Sequence, residues 1–173
     1  MLLFVAALGA AGCAELAVLP PGEQVEFEFS GRIAVRYRDD ASSGNVSWRH
    51  RAGGDEVLLT TPLGQGVARI VREGAVVTLT TADSRQHTAA DAETLTESVL
   101  GFRLPLAGLA DWVRGRPSPG PADAARDKDG RLTRLEQAGW AIDYLEYAGL
   151  LPSRMKLAYP GIEIRLAIGE WKP

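Results

Sequence analysis

The sequence predicts a mainly β domain, a strongly curved antiparallel sheet with two or three short helices laid over one opening. Three observations predict it. Period-two alternation of apolar and polar residues runs along most of the chain, on both sides of a central helical stretch. The connections between alternating segments are rich in Gly, Asp and Ser, the punctuation of hairpins. The order is strands, helices, strands, and not the strand–helix alternation of a nucleotide-binding fold. At 173 residues the chain suits one domain, able to bury a core without metal or disulfide.

The first element is an apolar run, Met1 to Gly12. It is shorter than the roughly 20 residues a spanning helix needs, and it has the length of a secretory signal's apolar region. Ala10-Ala11-Gly12 are small, as a signal peptidase requires, and Cys13, the one cysteine, follows at once. Small residues before Cys form a lipobox, in which the thiol is diacylglycerated and the chain cut before Cys13. Ala10 stands where a lipobox usually has Leu, and no Lys or Arg precedes the run. The competing reading is a buried N-terminal segment with an incidental thiol. The expected division is a signal peptide over 1–12, a lipidated cysteine with a Pro20-Pro21-Gly22 tether over 13–24, and the β domain over 25–173. No cofactor is expected beyond N-acyl and S-diacylglycerol groups on Cys13. Ala14 is not the Asp that retains many lipoproteins in the inner membrane, so the outer membrane is favoured, facing the periplasm.

The domain opens with Val25, Phe27 and Phe29 on one face, continued by Ile33, Val35 and Tyr37 against Arg32, Arg36 and Arg38. Such alternation marks strands with one wet face. Further strands are predicted over 45–50, 57–61, 66–71 and 76–80. A helix over 91–100 puts Ala92, Leu95 and Val99 on one face. A second carries Leu106, Leu109, Ala110 and Val113 at i, i+3, i+4, i+7, bracketed by Pro105 and Gly115. Pro117 to Pro121 stops it, and residues 122–126 are expected to add one short turn. Strands follow over 131–136, 140–146, 154–159 and 163–168, the last with Ile162, Ile164, Leu166 and Ile168 in strict alternation.

Chemistry-bearing motifs are scarce. Hydrophobic residues at 46%, charged residues at 24% and a net charge of −3 describe a globular domain and argue against a general nucleic-acid binder. His87 near Asp83 and Ser84 lacks the elbow and oxyanion glycines of a catalytic triad. Asp127-Lys128-Asp129-Gly130 starts like a calcium loop but lacks its later ligands, and reads as a polar hairpin turn. No His/Cys spacing offers a metal site, and no enzymatic activity is expected.

The apolar residues say more. Trp48, Trp112, Trp140 and Trp171 are spread over the domain, and Trp140, Ile142 and Tyr144 share a face. They either fill a core or, in a curved sheet with a large inner face, line a cavity suited to acyl chains. In Thr60-Thr61-Pro62-Leu63-Gly64-Gln65-Gly66, Pro62 and Gly64 enforce a tight protrusion with Leu63 at its tip. A lone exposed leucine is ordinary, but on a tethered protein it can dip into the lipid interface.

Seven stretches, in order, resemble the outer-membrane lipoprotein receptor family LolB. They are Phe29-Ser30-Gly31-Arg32-Ile33-Ala34-Val35, Trp48, Leu58-Leu59-Thr60-Thr61-Pro62-Leu63-Gly64, and Leu104-Pro105-Leu106 through Trp112-Val113-Arg114-Gly115-Arg116-Pro117. Gly139-Trp140-Ala141-Ile142-Asp143-Tyr144 with Leu151-Pro152, Ile164-Arg165-Leu166, and Glu170-Trp171 complete the set. The resemblance implies an unclosed antiparallel β-barrel (half-barrel) with a helical lid over an apolar cavity, similar to the periplasmic carrier LolA. It implies a monomer that takes triacylated lipoproteins from LolA and inserts them into outer-membrane lipid. It gives Leu63, with Pro62 and Gly64, a part in that insertion. On this reading Trp48, Trp140, Ile142 and Tyr144 contact acyl chains and Trp112 lies under the lid. The rival expectations are a generic lipid or amphiphile binder and an envelope scaffold with a filled core.

Overall fold

The first alternating segment becomes one long strand, β1, Val25–Tyr37, in a computed structural model that describes residues 24–100 and 103–172. Cys13 and the tether lie outside the described residues. After β1 come β2 (Asp40–Arg51), β3 (Gly54–Thr60), β4 (Gly66–Glu73), β5 (Val76–Thr81) and β6 (Gln86–Ala89). Helices α1 (Ala92–Leu100) and α2 (Leu106–Trp112) intervene. The second strand set is β7 (Asp123–Arg126), β8 (Leu132–Gln137), β9 (Trp140–Ala148), β10 (Leu151–Tyr159) and β11 (Ile162–Lys172). All belong to one sheet in the order β6-β5-β4-β3-β2-β1-β11-β10-β9-β8-β7, antiparallel throughout. The first and last strands therefore meet at the centre, and the edges β6 and β7 do not join. The barrel is unclosed.

The centre is bent by a bulge. β1 and β11 slip register between Ser30 and Gly31, leaving Gly169 as an extra residue on β11. One added residue inverts the side-chain parity of a strand. Even-numbered Ile162, Ile164, Leu166 and Ile168 and odd-numbered Trp171 thus all turn toward the core. Gly31 allows this close approach, because a Cβ there would stand 2.3 Å from the Ala167 carbonyl oxygen.

Asp91 starts α1 by accepting the Thr94 N–H at 2.7 Å. The helix packs on β5 and β6 through Ala92, Leu95 and buried Thr96. The Thr96 hydroxyl donates to the Ala92 carbonyl (2.8 Å) and accepts the Leu104 N–H (2.9 Å), tying the approach to α2 onto α1. α2 buries Leu106, Leu109 and Ala110, with Val113 just past its end, the stripe read from its spacing, and Trp112 as well.

The short turn expected over 122–126 is not formed: Asp123–Arg126 make the edge strand β7, exposed along its length and paired with β8. Ala and Arg favour helix locally, and only the free edge of β8 makes the segment extend. β6 went unforeseen because its four residues carry no apolar alternation. The Asp127–Gly130 segment is the hairpin turn expected of it. Asp127 accepts the Asp129 and Arg131 N–H groups, with Gly130 at φ +81°.

Candidate functional site

The concave side of the sheet and the underside of α2 enclose a hollow of about 80 Å³. β1 contributes Phe29, Ile33 and Val35, β2 Val46 and Trp48, and β3 and β4 Val57, Leu59 and Ile70. β10 and β11 add Leu157, Ile164 and Leu166, and Leu104, Leu106, Leu109 and Val113 form the roof. Every one of these side chains is hydrophobic. Such a hollow stays dry and accepts only apolar matter. Its volume is below the roughly 150 Å³ that holds a benzene, so as it stands it is too small for an acyl chain.

Trp48 can face the hollow because its indole N–H points elsewhere, donating to Asp55 Oδ1 at 2.8 Å. Asp55 is 1% exposed and also takes His50 Nδ1 (2.6 Å) and Arg72 Nε (2.6 Å). An ionised carboxylate only accepts, so the His50 Nδ1 carries the proton. Burial alone would push the Asp55 carboxyl up. The hydrogen bonds from His50, Trp48 and Arg72 outweigh it and hold the group below the usual carboxylate range. Beyond His50 lies Glu26 (3.8 Å), which Arg114 reaches from beyond the end of α2 at 3.1 Å. The same guanidinium covers the Phe27 ring at 5.1 Å and donates to the Ala110 carbonyl. A polar chain thus runs from β3 and β4 to the C-terminal end of the roof.

Of the five side chains expected to line a cavity, Trp48 does. Trp112, Trp140, Ile142 and Tyr144 are also brought together and buried, but not among the residues around this hollow. They form packed core where α2 ends. Trp112 lies 6.4 Å from the Trp140 ring, and its Nε1 donates to Gln137 at 2.8 Å. The Tyr144 hydroxyl donates to the Trp112 carbonyl at 3.0 Å, and burial pushes that phenol's pKa up. Gln137 also accepts the Ser118 N–H and hydroxyl, fastening the chain that leaves the helix. The C-terminal end of α2 is therefore pinned by polar bonds, while Leu106 and Leu109 hold the rest by apolar contact.

The β3–β4 loop is built from its own sequence. Pro62 and Leu63 occupy a turn closed by the Gly64 N–H on the Thr61 carbonyl (2.9 Å), with Gly64 at φ +86°. Proline suits the second position of such a turn and glycine the left-handed fourth. Asn45 on β2 braces the loop through the Thr61 carbonyl at 3.1 Å. Leu63 is 91% exposed at the tip.

Asp55, Arg72, Arg114 and Gln137 were missed in the sequence. Asp55 shares the parity of buried Val57, and Gln137 that of buried Leu135. A polar residue in an apolar register was the available signal. By contrast His87 is exposed on β6, and Asp83 is engaged by Thr81 and Arg85.

An unclosed antiparallel barrel, an all-apolar hollow under a helix and an exposed leucine turn define a class of lidded half-barrel with an apolar interior. The family described as outer membrane lipoprotein LolB matches residues 25–171. The chain belongs to the LolB family of outer-membrane lipoproteins. The outer-membrane lipoprotein LolB of Thiobacillus denitrificans is 42% identical over 93% of this chain and 90% of its own length. That of Pseudomonas aeruginosa strain LESB58 is 40% identical over 85% and 74%. Among solved structures, a domain of Vibrio parahaemolyticus described as an outer membrane lipoprotein-sorting protein matches in fold alone. Its TM-score is 0.53, with 10% identity and 84% of each chain covered.

Proposed function

We propose that this chain is an outer-membrane receptor of lipoprotein localisation, accepting acylated proteins from a periplasmic carrier of the LolA type and placing them in the membrane. The observation that carries the reading is the all-apolar hollow under α2 in a member of this family. Burying an acyl chain is worth about 0.8 kcal/mol per methylene, roughly 12 kcal/mol gross for sixteen carbons. Transfer then needs no chemical step, only acceptors ordered by how well they hold the chain. The hollow must hold it better than the carrier and less well than the bilayer.

Entry requires the roof to move, because the hollow is smaller than one acyl chain. The C-terminal end of α2 is fixed through Trp112, Gln137, Tyr144 and Arg114, so the Leu104–Leu109 end lifts. The Thr96–Leu104 hydrogen bond and the exposed Arg103–Glu97 pair tie that end to α1 and break as it lifts. Leu63 then enters the lipid interface and opens a path for release. An acylated Cys13 keeps the domain at the membrane surface throughout.

The test is acceptance from a carrier loaded with a radiolabelled triacylated lipoprotein. Ile33 is only partly buried on the wall of the hollow. Ile33→Glu puts a charge there and should lower label uptake at least tenfold while circular dichroism stays that of the parent. Unchanged uptake by the folded variant would remove the hollow from the binding step.

A further inference from the structure

The outer face of the same sheet carries a second, open concavity of about 640 Å³. Residues of β2, β1, β11, β10 and β9 line it, the outward-facing Arg32, Arg154, Lys156 and Arg165 among them. Four of its lining residues are cations, Arg32, Arg154, Lys156 and Arg165, and none is a carboxylate. In a chain of net charge −3 this is a local reversal. Lys156 and Arg165 stand directly opposite each other on neighbouring strands, an arrangement that costs stability in a sheet. Arg32 and Arg154 flank Ala167 across β1, β11 and β10, so a small side chain opens the floor between two long ones. Among the described residues no salt bridge or hydrogen bond engages the Arg32 guanidinium. Glu163 holds Arg165 (2.9 Å), Glu146 holds Arg154 (2.7 Å) and Asp143 stands 3.6 Å from Lys156. The Arg154 pair is exposed on both sides and the other two are half-buried, and surface pairs of this kind hold their partners weakly.

The ends of the concavity decide what that anion belongs to. Pro62 forms one end, so the root of the Leu63 turn is its wall. Leu145, 57% exposed on β9, forms the other. Cations between exposed leucines are the pattern of a surface that lies on anionic lipid.

We propose that this outer face is the one by which the domain lies on the bilayer. Phosphates of anionic phospholipid headgroups seat among Arg32, Arg154, Lys156 and Arg165, and Leu63 and Leu145 reach the acyl boundary on either side. The inference rests on the receptor reading for its purpose, since it explains how the Leu63 turn is held against lipid during release.

Lipid titration by co-sedimentation tests it, using the full chain with Cys13→Ser so that no acyl anchor is attached. Vesicles of phosphatidylcholine are compared with vesicles holding a third phosphatidylglycerol. Met1 to Gly12 is the same in the parent and every variant, so the comparison between variants is free of its contribution. Phosphatidylglycerol should strengthen binding, and the gain should vanish at 0.5 M salt. Arg32→Gln/Lys156→Gln/Arg165→Gln should weaken binding to the anionic vesicles by about tenfold or more, and Arg32→Gln alone by about threefold. Arg103→Gln/Arg126→Gln/Lys128→Gln, equal in charge but elsewhere, should change it less than twofold.

Equal loss in the two triple variants, or no dependence on phosphatidylglycerol, would overturn the proposal. So would competition by inorganic phosphate beyond a chloride control of matched ionic strength, which would make the ligand a free anion. If the first triple variant keeps vesicle binding but loses uptake from the carrier, the face belongs to a protein partner and the proposal fails. No cargo or carrier enters the vesicle titration, so a failure of the receptor reading would show separately, as no uptake by the parent chain.

Discussion

Trp48 lines an apolar hollow because its one polar atom is engaged behind it by Asp55. Removing that carboxylate leaves Arg72 and His50 without their buried partner. Asp55→Asn should therefore cost about 3 kcal/mol, read as a lower urea midpoint with unchanged slope. The sign of the pH effect follows from the depressed folded-state pKa of Asp55. Near and below the unfolded value of about 3.9 the unfolded state binds more protons, so the stabilisation is full above that pH. It is lost as pH falls through the folded value. Urea midpoints between pH 5 and 2 should fall less steeply for Asp55→Asn than for the parent. Leu63 behaves in the opposite way. It touches little, so Leu63→Glu should shift stability by less than about 0.5 kcal/mol while changing function. Leu63 was legible in the sequence because Pro62 and Gly64 set its turn locally. Asp55 was half legible: its register gave burial, but its partners come from β2 and β4, and pairing between strands is not written in any one of them.

Among the elements, the bulge at Gly169 and the roof helix matter most. The bulge lets Ile168 and Trp171 serve one core, and Gly31 is the residue that permits it. Gly31→Val forces a side chain into the Ala167 carbonyl and should cost about 3 kcal/mol, a fall in Tm of about 6–12 °C in a thermal melt. The roof makes a different prediction. Leu109 seals the hollow from α2, so Leu109→Ala loosens that helix without unpairing a strand. Amide exchange should accelerate over residues 104–109 and stay unchanged in β1 and β11. Equal acceleration in the sheet would mean that roof and sheet open as one unit. Long strands and both helices were legible from period and punctuation. β6 and β7 were not, because each is a polar edge segment whose extension is imposed by a neighbour.

Across the whole molecule the two faces of one sheet divide the work. The concave face, closed by α2, offers a dry apolar space, and the loop at one end of β3 and β4 offers an exposed leucine. The curved sheet under a lid was legible in the order of elements, and the unclosed barrel came from the family resemblance. Which inward side chains border space and which fill it was not legible. Trp48 and Trp140 have the same alternating context, and only the packing of Trp112 and Tyr159 around Trp140 separates wall from core. On the proposed function, acceptance and release are separate steps served by separate residues. The measurement that tests this most directly loads a carrier with radiolabelled lipoprotein, adds the chain together with liposomes, and follows the label with the parent and with Leu63→Glu. Both should take label from the carrier, the parent should pass it to the liposomes, and Leu63→Glu should retain it. Passage of label to the liposomes at the parent's rate by Leu63→Glu would contradict that separation.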